Sequence, residues 1–199
     1  MKALVLASNN PGKLRELSAL LAGLDYELLP QSRFGVSEVE ETGTTFVENA
    51  IIKARHAARH TGLPALADDS GIEVDALDGA PGVYSARFAG VNATDLENNV
   101  LLVNKLRDVP AEQRSARYRA VIVLLRHAAD PSPIICESSW NGQICLQPSG
   151  TGGFGYDPHF YLPGLGCTSA ELSAEEKNRL SHRGQALRDL QAKLDSNRV

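Results

Sequence analysis

Leu66-Ala67-Asp68-Asp69-Ser70-Gly71 is the stretch on which the reading of this chain turns. Ala65, Leu66 and Ala67 make a short apolar run that ends in two carboxylates and a small Ser-Gly pair. An apolar run ending this way reads as a buried strand that delivers acidic side chains to its own C-terminal end, where open α/β sheets keep their ligands. Side chains alternate along a strand, so Asp68 and Asp69 face opposite ways unless the chain turns there. A helix cap or a turn is the other reading, because Asp and Ser suit both. In isolation that second reading is the more ordinary one, and the company the pair keeps decides between them.

Outward from the pair, short apolar runs alternate with amphipathic patterns. Residues 3–7 read as a first strand, followed by the polar turn Ser8-Asn9-Asn10-Pro11-Gly12. Leu14, Leu17, Leu21 and Leu24 then recur at helical spacing with Lys13, Arg15 and Glu16 off that face. Gly23 weakens the end of this helix. Residues 27–29 suggest a second short strand, and residues 31–44 are polar and irregular, with Glu38, Glu40 and Glu41 clustered. Thr45-Phe46-Val47-Glu48 has capping-box spacing and opens a helix with Phe46, Val47, Ala50, Ile51, Ala54 and Ala58 inward. Residues 72–74 suggest a second extended piece after the strand at 65–67. Thr94-Asp95-Leu96-Glu97 is another capping box. Residues 118–126, rich in β-branched and aromatic side chains, predict the longest strand. Residues 134–140 pair with it across Asp130-Pro131-Ser132-Pro133, and Asn141-Gly142 predicts a hairpin turn into residues 143–146. A glycine-rich loop at 149–158 and a short strand at 160–162 follow. The C-terminal part is helical, with a third capping box at Ser173 to Glu176 and a seam of Leu187, Leu190 and Leu194. The alternation predicts an α/β fold with a mixed sheet in a single domain, residues 1–199.

Composition sets bounds. The chain has 199 residues, enough for one good core, with 43% hydrophobic and 22% charged residues, as in an ordinary soluble protein. No apolar run approaches the ~20 residues of a membrane span. The first apolar run is too short for a signal peptide core, and Cys136, Cys145 and Cys167 form no C-x-x-C motif. Both features fit a cytoplasmic protein with free thiols. A net charge of −4 argues against a nucleic-acid polymer as the main partner. It leaves room for a nucleotide, which needs only a local basic pocket and a metal.

Four residue sets carry chemistry. Ser8-Asn9-Asn10-Pro11-Gly12-Lys13 lies between a strand and a helix, where backbone N–H groups and a lysine suit a phosphate. It is not a Walker motif, since Ala7 and Leu14 stand where Gly and Ser/Thr are required. Gly150-Thr151-Gly152-Gly153-Phe154-Gly155 matches G-x-G-x-x-G literally, but it follows a hairpin and runs into Tyr156-Asp157-Pro158 rather than opening a helix. What remains is a flexible loop on which Phe154 or Tyr156 can stack against a flat ring, with Asp157 at the ring's edge. Lys177, His182 and Arg183 are donors to phosphate or keto oxygens, or the solvated end of a helix. Glu38, Glu40, Glu41, Asp68 and Asp69 are hard oxygen donors of the kind that bind Mg²⁺ together with substrate phosphates, or a solvated acidic loop and a capped turn. Ser70 lacks the G-x-S-x-G elbow and no cysteine has a motif partner, so covalent catalysis is not indicated.

These blocks, in this order, resemble the inosine triphosphate pyrophosphatases, also called dITP/XTP pyrophosphatases. The resemblance is carried by the Ser8 to Lys13 turn, Glu40-Glu41-Thr42-Gly43-Thr44-Thr45-Phe46-Val47-Glu48-Asn49-Ala50, and Ala67-Asp68-Asp69-Ser70-Gly71. Further on, Gly79-Ala80-Pro81-Gly82-Val83-Tyr84-Ser85-Ala86-Arg87, Gly152-Gly153-Phe154-Gly155-Tyr156-Asp157-Pro158 and Ser181-His182-Arg183-Gly184 extend it over nearly the whole chain. Asn9 departs from the pattern, standing where glycine is frequent.

The resemblance implies an elongated α/β domain of two lobes with a central cleft, a homodimer, and Mg²⁺-dependent hydrolysis of deaminated purine nucleoside triphosphates such as dITP, ITP and XTP to the monophosphate and pyrophosphate. It implies Asp69 as proton acceptor, and Mg²⁺ held by Asp69 with Glu40 or Glu41, Asp68 being support or co-ligand. Ser8, Asn9, Asn10, Pro11, Gly12, Lys13, Lys53, Ser70, Phe154, Gly155, Tyr156, Asp157, Lys177, His182 and Arg183 are the implied substrate contacts. Of these, Lys13 and Lys53 go to phosphate, Phe154 stacks on the base, and His182, Arg183 and Asp157 read its edge. Two other readings stay open: a pyrophosphatase for modified pyrimidine nucleotides, and a nucleotide-sensing or dinucleotide-binding module without hydrolysis, resting on G-x-G-x-x-G.

Overall fold

The computed structural model describes residues 2–21 and 26–196. The helix-end positions Gly23 and Leu24 lie outside the described residues. The elements are β1 (Lys2–Leu6), α1 (Pro11–Leu21), β2 (Tyr26–Pro30), α2 (Phe46–Thr61), β3 (Ala65–Val74), α3 (Asp95–Leu106), β4 (Ser115–Leu125), β5 (Ile134–Ile144), β6 (Phe160–Leu162), β7 (Cys167–Thr168), α4 (Ala174–Leu180) and α5 (His182–Ser196). Short 3₁₀ turns fill several connections, among them Gly82–Arg87. The strands form one sheet in the order β2-β1-β3-β4-β5-β6-β7. β1 runs parallel to both β2 and β3, whereas β6 is antiparallel to β5 and β7. The sheet is therefore mixed, as the alternation of patterns predicts. Among the described residues no helix is long and apolar enough to cross a membrane.

The helix starts form where the sequence marks them. Thr45, Thr94 and Ser173 each close a reciprocal capping box with the glutamate three residues on. In the first of these the Glu48 N–H donates to Thr45 Oγ1 at 3.3 Å and the Thr45 N–H to Glu48 Oε2 at 3.0 Å. Gly62 ends α2 at φ +69°, a left-handed conformation that glycine adopts without strain.

Two expectations change. β3 does not stop at the acidic pair but runs ten residues without a break, so Asp68 and Asp69 lie inside a strand and not at its end. The pairing of β1 with β3 nevertheless ends at Leu6 and Leu66, just before the pair. Asn141-Gly142 makes no turn, and β5 continues through it to Ile144. Gly142 answers a different need. A Cβ there would lie 2.6 Å from the Tyr161 carbonyl oxygen and 2.7 Å from the Phe160 ring. The missing side chain lets β6 approach, a tertiary reason that overrides the local turn signal.

The chain divides into two compact units. The first comprises Met1–Asp69, Ala120–Ser138 and Arg183–Val199, the second Ser70–Arg119 and Ser139–His182. Leu4, Leu6, Leu17, Leu66, Ile122, Leu187 and Leu190 centre the core of the first. Ile72, Val74, Leu102, Leu106, Tyr118, Trp140 and Phe160 centre that of the second. Burial of such side chains is worth roughly 1.5–3 kcal/mol each, so each unit has its own driving force to order the side chains on its edges.

Candidate active site

In the first unit, the turn between β1 and α1 is built by Asn10. Its Oδ1 accepts from the Gly12 and Lys13 N–H groups at 2.9 and 3.0 Å, and Ser8 Oγ accepts from the Asn10 N–H at 3.2 Å. Pro11 supplies the first helical residue, where no N–H is needed. The amide donors that suit a phosphate are thus capped by the turn's own side chains. Asn9, Asn10 and Pro11 are exposed, and Gly12 is buried.

Lys13 reaches from this turn to Asp68, with Nζ 2.6 Å from Oδ2. Arg183 meets the same carboxylate from α5, with Nε 3.2 Å from Oδ1 and Nη2 3.3 Å from Oδ2. Its remaining Nη1 pairs with Glu16 on α1. Asp68 is 1% and Arg183 2% exposed. Burial alone would raise the Asp68 carboxyl, but the Arg183 and Lys13 charges outweigh it and hold the carboxyl well below the usual range. Burial and the neighbouring cations Lys53 and Arg183 lower Lys13, against the pull of Asp68. The arrangement is a buried lattice of two cations and two anions. Through Arg183 it ties α5 to β3 and α1.

Asp69 belongs to a different set. Lys53 Nζ, from α2, lies 2.5 Å from Asp69 Oδ1 and 2.8 Å from Glu41 Oε1. Two carboxylate oxygens from distant stretches thus converge on one cation. Burial lowers Lys53, but Asp69 and Glu41 more than reverse it and raise it. Burial raises the Asp69 carboxyl, and Glu41 adds to this, against the pull of Lys53 and Lys13. A carboxyl raised in this way is moved toward the range in which a general base is effective. Hard oxygen donors already facing one cation also fit Mg²⁺. Glu41, half-buried, is the glutamate brought to this point, whereas Glu38 and Glu40 are exposed. Asp68 is committed to Lys13 and Arg183. Ser70, half-buried, follows Asp69 on β3.

In the second unit the glycine-rich loop is pinned rather than free. Asp157 is the hub. Its Oδ2 accepts from the Phe154 N–H at 2.8 Å and from Lys177 Nζ at 2.6 Å. Its Oδ1 accepts from Ser169 Oγ at 2.8 Å and Tyr118 Oη at 3.3 Å. Gly153 sits at φ +72°, and a Cβ there would lie 2.0 Å from Asp157 Oδ2, so the carboxylate fills the loop. The Gly155 peptide is clamped by α3, its N–H donating to Asp95 at 2.7 Å and its carbonyl accepting from Asn99 at 2.9 Å. Tyr156 turns inward into the core, its hydroxyl on the Ser85 carbonyl at 2.7 Å. Phe154 is the half-buried aromatic of this loop, with Lys177 Nζ 4.8 Å from its ring centroid. His182 lies stacked on Tyr118, centroids 4.7 Å apart and planes 8° from parallel. The loop enters a 3₁₀ turn at Asp157–His159 and opens no α-helix, which removes the geometry a dinucleotide motif needs.

The structure therefore assembles Lys13, Lys53, Glu41, Asp68, Asp69 and Arg183 in one unit, and Phe154, Asp157, Lys177 and His182 in the other. Both oxygens of Asp157 are engaged within this unit. Sequence reasoning missed Glu16, Tyr118 and Ser169. Glu16 carried a usable signal, for it lies one helical turn from Lys13 and so shares its face. Tyr118 and Ser169 carried none, because their partners come from remote stretches.

A mixed-sheet α/β fold with a lysine-bridged carboxylate pair defines the general class. The Ham1 family profile matches residues 4–193. A dITP/XTP pyrophosphatase of Pectobacterium atrosepticum is 60% identical over 188 residues, covering 94% of this chain and 95% of that protein. One from Xanthomonas oryzae pv. oryzae is 62% identical over 98% of each chain. The solved structure of a HAM1 protein from Coxiella burnetii matches with a TM-score of 0.92 at 52% identity, over 98% of this chain and all (100%) of that one. The chain belongs to the Ham1 family, as the motif blocks imply.

Proposed function

We propose that this chain hydrolyses non-standard purine nucleoside triphosphates, dITP, ITP and XTP, to the monophosphate and pyrophosphate. The observation that carries the reading is the Asp69–Lys53–Glu41 set, in a chain about as long as relatives that bear the name dITP/XTP pyrophosphatase. Asp69, with its raised carboxyl, accepts a proton from the attacking water. The water oxygen bonds to the α-phosphorus, the bond to the β-phosphate oxygen breaks, and pyrophosphate leaves. Lys13 and Lys53 supply positive charge to the phosphate oxygens. Glu41 and Asp69 are the residues that would hold Mg²⁺, and the ion's chemistry there is to neutralise phosphate charge and polarise water.

Phe154 offers a face for the base, and His182 and Lys177 offer donors to a keto oxygen. Hypoxanthine and xanthine carry an acceptor at position 6 where adenine carries a donor amine. A buried donor facing that amine is left unpaired, a mismatch that discriminates by up to ~10⁴-fold. The family further leads us to propose a homodimer acting in the cytoplasm, the first of which sedimentation velocity tests.

The decisive assay measures turnover of ITP, XTP, ATP, GTP and CTP with and without Mg²⁺, and identifies the products. Pyrophosphate and monophosphate from ITP and XTP, with little turnover of ATP or CTP, is the expected result. Successive release of orthophosphate would move the attack to the γ-phosphorus. Equal turnover of CTP would favour a pyrimidine substrate.

A further inference from the structure

We propose that Tyr118 is a positioning residue for base discrimination, acting through His182 with its ring and through Asp157 with its hydroxyl. The proposal rests on the reading of His182 as a donor to the base. Tyr118 lies on β4, 8% exposed, in the core of the second unit. One of its faces carries the His182 imidazole, nearly parallel at 4.7 Å. It also packs, tilted, against Phe160, centroids 4.5 Å apart at 55°, and Phe160 in turn packs against Trp140 at 5.4 Å. The ring beneath His182 is thus backed by Phe160, which Trp140 backs in turn.

The physical consequence concerns the imidazole plane. Rotation of a histidine ring about its last side-chain bond is broad and only weakly restricted by the backbone. A flat neighbour in parallel contact removes that freedom, because tilting the imidazole gives up the stacked contact. Aromatic pairs of this kind are held by more than the area they bury. A donor nitrogen held in a fixed plane distinguishes an acceptor from a donor on the ligand; a freely turning one adapts to both. The hydroxyl has a separate task. Buried in an apolar core, it needs a partner, and it finds Asp157 Oδ1 at 3.3 Å. Asp157 also has Ser169 on that oxygen, so loss of the Tyr118 hydroxyl leaves the hub supported. The ring therefore carries the larger effect.

Steady-state kinetics on ITP and ATP separate these roles. Tyr118→Leu removes the stack and is expected to lower the ratio of kcat/KM for ITP over ATP roughly tenfold, chiefly through the KM for ITP. Tyr118→Phe keeps the stack and is expected to stay within about threefold of wild type. His182→Ala with Tyr118→Leu should be no worse than His182→Ala alone, since both remove one oriented donor. Equal losses on both nucleotides in Tyr118→Leu, or effects that multiply in the double variant, would overturn the proposal and leave Tyr118 as core packing. A His182→Ala variant with unchanged discrimination would instead remove His182 from base reading, and the proposal with it. Should Tyr118→Leu fail to fold, Tyr118→Met is the replacement, and NMR of the wild-type protein gives a second measurement. The His182 ring protons are expected to show cross-relaxation with the Tyr118 ring both free and with inosine monophosphate bound. Loss of that signal on binding overturns the proposal.

Discussion

Asp68 and Asp69 are neighbours on one strand, and the fold treats them in opposite ways. Asp68 meets Lys13 and Arg183, and its carboxyl is held far down. Asp69 meets Lys53 in a pair shared with Glu41, and its carboxyl is pushed up. Burial acts on both in the same direction. What differs is the number of cations: two on Asp68, one of which also serves Glu16, against a single one on Asp69 that it shares with Glu41. Two cations on one carboxylate make a fixed part of the scaffold. One cation shared by two carboxylates leaves a group that can take up a proton or exchange its partner for a metal. The alternation of side chains along β3 is what allows adjacent residues to live in such different surroundings.

The contrast is open to attack by substitution. The largest expected effect is on turnover. Asp69→Asn should lower kcat for ITP by about 10³-fold or more, since it removes the proton acceptor and one of the two carboxylates that would hold Mg²⁺. Arg183→Met should act on the fold. It strips the second cation from Asp68 and takes a guanidinium partner from Glu16, for a loss of about 3–5 kcal/mol in urea unfolding. Wild-type stability in urea near pH 6 would show that the lattice carries no weight.

A smaller effect is expected in the second unit. Phe154→Ala should raise the KM for ITP roughly tenfold with kcat within a few-fold, because base stacking on an aromatic is worth about 1–3 kcal/mol. A fall in kcat alone would assign Phe154 to the chemical step. The smallest effect is a titration. In metal-free protein the Asp69 carboxyl, followed by ¹³C NMR, should titrate above the ~3.9 of a free aspartate, and Lys53→Met should raise it further. A fall in that variant would mean that Lys53 is not the partner holding it down.

Much of the fold was legible because its signals are local. Three capping boxes, an alternating pattern and the β-branched run of β4 depend only on neighbouring residues. Where reading failed, the cause was remote. Asn141-Gly142 has the composition of a turn, but Gly142 is needed to admit β6. Tyr156 follows the glycine loop in sequence yet buries its ring against the partners of the second core. At the site, the residue types were legible and their partners were not. The sequence could not choose between Glu40 and Glu41, since that choice depends on where α2 places Lys53. Nor could it show that Arg183 is taken by Asp68 and Glu16, which lie 115 and 167 positions away.

The sign of each aspartate's contribution to stability separates the two most directly. A carboxyl lowered on folding stabilises above its unfolded pKa, and that stability is lost as pH falls below ~4 and on through the folded value. A raised carboxyl has the opposite sign, costing stability above its unfolded pKa and nothing when protonated in both states. The measurement is urea unfolding at pH 7 of Asp68→Asn and Asp69→Asn side by side. Asp68→Asn is expected to lose stability clearly, and Asp69→Asn to stay at or above wild type. Equal losses in both, or a loss confined to Asp69→Asn, would contradict that expectation.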